Sequence, residues 1–186
     1  MTYWSALEVA LAVPCHPLAE DPVMETILIL TTGGTIDKVY FDAKSEYEVG
    51  PPNIKTVLSE LNLAITYRIQ PLMRKDSLDI TDKDRQVIKS ALVNAPENKV
   101  LITHGTDTMV ETGKLLVGAT MKTVVLTGAI EPALFKTSDA LFNIGCALAA
   151  VQTAPAGVYI AINGRLFDPR KAHKNVGLNR FEVDNE

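Results

Sequence analysis

Two short stretches carry the residues best suited to chemistry. Residues 31–36 read Thr-Thr-Gly-Gly-Thr-Ile and residues 103–109 read Thr-His-Gly-Thr-Asp-Thr-Met. Each sits at the end of an apolar run. Glycine lets the backbone approach a ligand closely, and a hydroxyl held just beyond it, here Thr35, can act as a nucleophile if a base is near. A plain turn with a threonine helix cap would use the same residue types. Thr106 and Asp107 open a helical pattern, so they are expected at a positive helix end that attracts an anion such as a carboxylate. Capping is again the alternative. Phosphate binding finds little support. Residues 31–36 lack the lysine of GxxxxGK[ST], and their adjacent glycines do not make GxGxxG.

The elements that must position these residues follow an alternating pattern. Strands are expected over 26–31, 65–70 (with Pro71 after the strand), 100–103, 124–127 and 158–162. Helices are expected over 53–61, from a Thr81 N-cap to about Pro96, over 106–117 and over 137–151. This rhythm predicts an α/β fold, three layers with a mostly parallel, flavodoxin-like sheet between helices. Ligands of such sheets sit beyond the carboxyl ends of the strands, where both stretches fall. Residues 37–52 show no helical or strand period and read as a lid or binding loop. The chain runs to Glu186 through a polar tail.

Length and composition bound the function. A chain of 186 residues suggests one domain, and its net charge of −4 gives no basic footprint for nucleic acid. Cys15 and Cys146 form no CxxC and read as free thiols of a reducing compartment. His16, His104 and His173 show no metal-ligand spacing. Residues 7–13 are apolar, but no basic residue precedes them as a secretory signal requires, and the run is too short to span a membrane. Residues 1–23 are therefore expected to be a non-native or dispensable extension before a natural start at Met24. Residues 24–186 would form the single domain.

The two stretches, in this order, resemble the signatures of the bacterial-type asparaginase/glutaminase family. Tyr-Glu-Val-Gly at 47–50 resembles its flexible-loop tyrosine segment, and Asp-Ser-Leu-Asp-Ile at 76–80 its substrate-carboxylate segment. Residues 128–132 and 139–145 add to the likeness. The resemblance implies hydrolysis of the side-chain amide of L-asparagine with no metal or organic cofactor. It makes Thr35 the nucleophile and Tyr47 its loop partner. Thr106, Asp107 and Lys174 become a second polar set, with Lys171 competing for the lysine's place. Asp76 and Ser77 would bind substrate, Ser77 through the α-carboxylate. Gly34, Gly105 and Ala129 would line the pocket. It further implies a cytoplasmic homodimer or homotetramer, with no nucleic-acid or membrane partner.

The chain departs from the family in two places. Members commonly carry a second, smaller C-terminal domain, and a glutamate from the neighbouring subunit completes their site. Position 78 is Leu where a polar substrate-binding side chain is expected. Three readings stay open: a short asparaginase completed by another segment, such as 168–186 of a partner copy; a non-catalytic binding or regulatory module; or an amidohydrolase preferring L-glutamine.

Overall fold

The computed structural model describes residues 25–42 and 46–184. The proposed start at Met24, and Cys15 and His16, lie outside them. The strands are β1 (Ile27–Gly33), β2 (Lys38–Phe41), β3 (Glu46–Val49), β4 (Tyr67–Lys75), β5 (Lys99–Thr103), β6 (Thr123–Thr127), β7 (Gly157–Ile162), β8 (Arg165–Phe167), β9 (Ala172–Asn175) and β10 (Arg180–Val183). The α-helices are α1 (Asn53–Ser59), α2 (Asp82–Asn94), α3 (Met109–Leu116) and α4 (Ala140–Thr153).

Six strands form the central sheet in the order β4-β1-β5-β6-β7-β8. All pair parallel except β8, which runs antiparallel to β7. The expected three-layer, mostly parallel fold is therefore present. Period two along the strands separates the two cores. Leu28, Leu30, Val100, Ile102, Val124 and Leu126 meet α2 and α3 on one face. Ile27, Ile29, Leu101 and Val125 meet α1 and α4 on the other. Both faces are covered, so the inner strands read as unbroken apolar runs.

The chain leaves β1 towards β4 on one side and returns to β5 on the other. That makes the carboxyl ends of β1 and β5 the switch point, where such sheets open a crevice.

Several boundaries differ from expectation. Strand β4 runs nine residues and includes Pro71. A proline fits there because β4 is an edge strand, with one ladder side unpaired. Residues 37–52 hold the hairpin β2–β3, in register Tyr40↔Tyr47. Its side chains are largely exposed, so no buried face imposed a period on the sequence.

The expected helix over 106–117 starts only at Met109. Thr106 and Asp107 lie in the turn before it, so they are not helix-end residues. The helix expected from 137 starts at Ala140, because Ser138 spends its hydroxyl on Glu131 O and Ala140 N. The expected Thr81 cap is present as a reciprocal box with Asp84.

The supposed polar tail is structured. Strands β9 and β10 pair as an antiparallel hairpin. Phe167, Ala172 and Phe181 are buried in the core on the α2–α3 side. Each of these short strands contributes one inward apolar residue, too few to show as a pattern.

Candidate active site

The end of β1 supplies Thr35. Gly33 and Gly34 both hold positive φ, 101° and 88°, which only glycine adopts without strain. Gly34 N donates to Lys75 O at 2.8 Å, fixing the turn to the end of β4. Thr35 then begins a 3-10 turn to Asp37 and stays half-buried. No hydrogen bond to its hydroxyl occurs among the described residues.

The end of β5 supplies the second set, and the two loops touch. A Cβ on Gly34 would sit 2.4 Å from Gly105 N, and one on Gly105 would sit 2.6 Å from Ser77 Oγ. Three strand-end loops, after β1, β4 and β5, therefore close on one another with no room for a methyl group. Thr35 and Thr106 each follow one of the touching glycines.

Lys174 reaches this place from β9, 68 residues along the chain from Thr106. Its Nζ donates to Thr106 Oγ1 at 2.8 Å and to Asp107 Oδ1 at 2.6 Å. Its side chain is only 13% exposed, whereas that of Asp107 is 39% exposed. Thr106 is buried, and because its oxygen accepts from Lys174, its own proton remains available to a further acceptor. Of the two competing lysines, Lys174 makes these contacts, while Lys171 lies in the preceding 3-10 turn. Leu78, Asp107, Val110, Ala172, His173 and Lys174 are among the walls of a cleft of ≈ 500 Å³.

Ser77 is buried, and its Oγ lies 3.5 Å from Asp107 Oδ2, a long contact. Its carbonyl accepts from Thr108 Oγ1 at 2.8 Å. Asp76 is occupied elsewhere: it accepts from Leu78 N at 3.2 Å and pairs with Lys38 at 2.6 Å. Burial pushes its carboxyl up, but the Lys38 ammonium and backbone N–H groups outweigh this and hold it below the usual range. Ala129 is fully buried among the apolar residues of the α1–α4 face, which include Ile36. Ala133 N donates to Ile36 O at 3.2 Å, tying the β6–α4 loop to the Thr35 turn.

Tyr47 stands apart from this cluster. It is half exposed on β3, and its ring packs edge-on against Tyr40 at 5.4 Å and Phe135 at 6.0 Å. The hairpin thus leans on the β6–α4 loop through aromatic contacts.

Two supporting groups were missed in the sequence. His104 is fully buried, and burial lowers its pKa to about 4, so it is neutral near pH 7. Its Nδ1 contacts Gly105 O at 2.8 Å, and its Nε2 contacts Thr112 Oγ1 at 2.9 Å. A carbonyl can only accept, so Nδ1 carries the proton and Nε2 accepts from Thr112. This fixes the Gly105 peptide to α3. Asp37 is the second. Burial, opposed by the Asn53 N–H and by Arg74, raises its pKa to about 7. Its Oδ1 accepts from Asn53 N at 2.8 Å, and its carbonyl accepts from Gly50 N at 2.8 Å. The hairpin's two ends are clasped there. A lone histidine between two strand-end residues, and an aspartate before a charged loop, gave no signal of burial.

Among the described residues no group of three or more His, Cys, Asp or Glu side chains could hold a metal ion. No helix there is long and apolar enough to cross a membrane.

Residues 26–183 match the family described as "Asparaginase, N-terminal". The chain is 34% identical over 172 residues to a glutaminase-asparaginase of Acinetobacter glutaminasificans, covering 82% of this chain and 50% of that protein. It is 31% identical over 163 residues to a probable periplasmic L-asparaginase of Haemophilus influenzae, covering 81% of this chain and 46% of that protein. Among solved structures, the thermostable L-asparaginase from Thermococcus kodakarensis superposes with a TM-score of 0.77 at 26% identity. That likeness covers 87% of this chain and 52% of the other. The chain spans about half the length of these relatives.

Proposed function

The chain belongs to the asparaginase family, which it matches through the N-terminal domain, and from that premise we propose that it is an L-asparaginase-type amidohydrolase with Thr35 as nucleophile. The observation that carries this reading is the convergence of Lys174 on Thr106 and Asp107, next to a Gly34–Gly105 contact that leads directly to Thr35. A structural salt bridge alone would not need a buried threonine hydroxyl as its second acceptor.

In this reading the Thr35 hydroxyl oxygen attacks the side-chain amide carbon of L-asparagine. Its proton passes into the Thr106–Lys174 network and leaves on ammonia as the carbon–nitrogen bond breaks. Water then attacks the ester on Thr35, aspartate departs, and the hydroxyl proton is restored. Asp107 holds Lys174 and binds the substrate ammonium group. Ser77 receives the α-carboxylate, and Gly34, Gly105 and Ala129 shape the pocket. Tyr47 closes over Thr35 on the β2–β3 hairpin. Asp76 is assigned to the substrate segment as the partner that sets its turn through Lys38 and Leu78 N.

The site works as a homodimer or homotetramer in the cytoplasm. The exposed Leu134 of the β6–α4 loop and Leu141 and Phe142 of α4 offer apolar surface for a second copy. Equilibrium sedimentation checks the assembly, and an active monomer would contradict it.

One observation favours a different amide. Leu78 is 74% exposed where a polar group is expected to meet substrate, which suits a substrate other than L-asparagine. Ammonia release from L-asparagine and, separately, from L-glutamine by the purified protein tests the reading. Release from L-asparagine above L-glutamine supports it. Preference for L-glutamine moves the substrate. No release from either, with L-aspartate still raising the melting temperature by mass action, makes the pocket a binding site.

A further inference from the structure

A line of side-chain hydrogen bonds runs from the β6–α4 loop to β10, the strand that pairs with the one carrying Lys174. Asp139 begins it. Its carboxylate accepts from Ile130 N at 2.9 Å and Glu131 N at 3.2 Å, next to Ala129, and from Asn143 Nδ2 at 2.8 Å. Asn143 is fully buried on α4. Its Nδ2 also donates to Gly128 O at 3.0 Å, and its Oδ1 accepts from Asn163 N at 3.2 Å. Asn163 then uses its own side chain, its Oδ1 accepting from Phe181 N at 3.0 Å. Phe181 lies opposite Lys174 in the β9–β10 register.

Asn163 can do this because of its backbone. With Gly164 it makes the two-residue turn between β7 and β8, and both residues hold positive φ, 50° and 73°. Asn-Gly is the pair that such a turn favours. The turn lies at the end of the central sheet. The β9–β10 hairpin is a separate two-stranded sheet, so its position over the site depends on such ties. Phe181 adds a tilted ring contact with Phe167 at 6.2 Å, and Pro169 fills the space beside Gly113 of α3.

We infer that Asn163 is a positioning residue: it locks β10 to the end of the central sheet and so holds Lys174 on Thr106 and Asp107. The inference rests on the amidohydrolase reading for its catalytic consequence, but not for its structural one. Asn163→Gly tests it cleanly, because glycine keeps the positive φ and removes only the acceptor. Asn163→Asp keeps both the turn and an acceptor oxygen, and serves as the rescue.

The primary measurement is reductive methylation by formaldehyde and borohydride, read at each lysine by mass spectrometry. In Asn163→Gly the modification rate of Lys174 is expected to rise about tenfold, the scale of a freed local contact. It should stay within about twofold of the parent in Asn163→Asp, with Lys89 on α2 unchanged in both. In the same proteins kcat for ammonia release should fall about tenfold in Asn163→Gly while KM changes by less than about twofold.

If the parent releases no ammonia, the amidohydrolase reading fails, and the Lys174 reactivity still decides the positioning role. Parent-like Lys174 reactivity in Asn163→Gly overturns it. Should that variant expose Lys89 as well, hydrogen exchange in the parent decides. A Phe181 amide protected together with that of Asn163 supports the tie, and one exchanging at the free-chain rate overturns it.

Discussion

The two sides of the crevice are built differently. On the β5 side, Thr106 and Lys174 are partnered, and Asp107 is held between Lys174 and a distant Ser77. His104 fixes the intervening peptide, and β10, the partner of the lysine's strand, is tied to the sheet end through Asn163. On the β1 side, Thr35 stands on two left-handed glycines beside a largely exposed hairpin. That hairpin leans on its surroundings through ring contacts and is clasped at its ends by Asp37. Under the proposed function, the contrast amounts to a division of labour in which proton handling is prebuilt and the cover over Thr35 is adjustable. Pre-organised groups act without rearrangement at the moment of reaction, whereas a cover must open to admit substrate.

The largest expected effect falls on the adjustable side. Thr35→Ala should reduce kcat for ammonia release by about a thousandfold or more, since no other hydroxyl follows the Gly33–Gly34 turn. Circular dichroism should show the fold intact, because the hydroxyl has no partner among the described residues.

Next comes the clasp. Asp37 has a folded pKa of about 7 against an ordinary 3.8, so the folded state holds its proton where the unfolded state has lost it. Stability from this group is therefore full below about pH 4 and falls as pH rises towards 7. His104 acts in the opposite sense between about pH 4 and 6.5, because its folded pKa is the lower one. Urea titrations of the parent and Asp37→Asn separate the two. The difference should grow with pH to on the order of 3 kcal/mol in favour of Asp37→Asn above pH 7. A difference independent of pH would remove the clasp from the account.

Smaller effects sharpen the comparison through packing. Gly105→Ala must push a methyl group against Ser77, and should destabilise the protein by about 1–3 kcal/mol. Tyr47→Ala removes a half-exposed ring from the hairpin and should cost less than about 1 kcal/mol. Equal losses in the two variants, measured by thermal or urea unfolding, would erase the distinction between a packed side and a loose one.

The legible parts of this molecule were those with a dense pattern. The buried parallel strands and the Thr81 cap declared themselves through apolar runs and the residue types at the helix start. Thr35, Thr106 and Asp107 stood out because glycine and hydroxyl residues cluster at strand ends. The β2–β3 hairpin and the β8–β10 segment were not legible. The hairpin buries no side chain, and strands β8 to β10 bury one inward residue each, Phe167, Ala172 and Phe181, so no period emerges. Helix α3 started late because the Thr108 hydroxyl donates to Ser77 O, while the Thr106 hydroxyl oxygen and the Asp107 carboxylate accept from Lys174. Only long-range partners decide such ends. Asn143 fell inside an expected helix and Asn163 carried no sequence signal, and their link to Lys174 exists only in three dimensions.

The central claim is that these two unlike sides form one amidohydrolase site. It is tested most directly by ammonia release from L-asparagine with the parent, Thr35→Ala, Lys174→Met and the double variant. Groups acting as a unit lose most of their effect together, so the double variant should be no slower than the slower single variant. Losses that multiply, or a Lys174→Met protein as fast as the parent, would place Thr35 and Lys174 in separate roles and contradict the account.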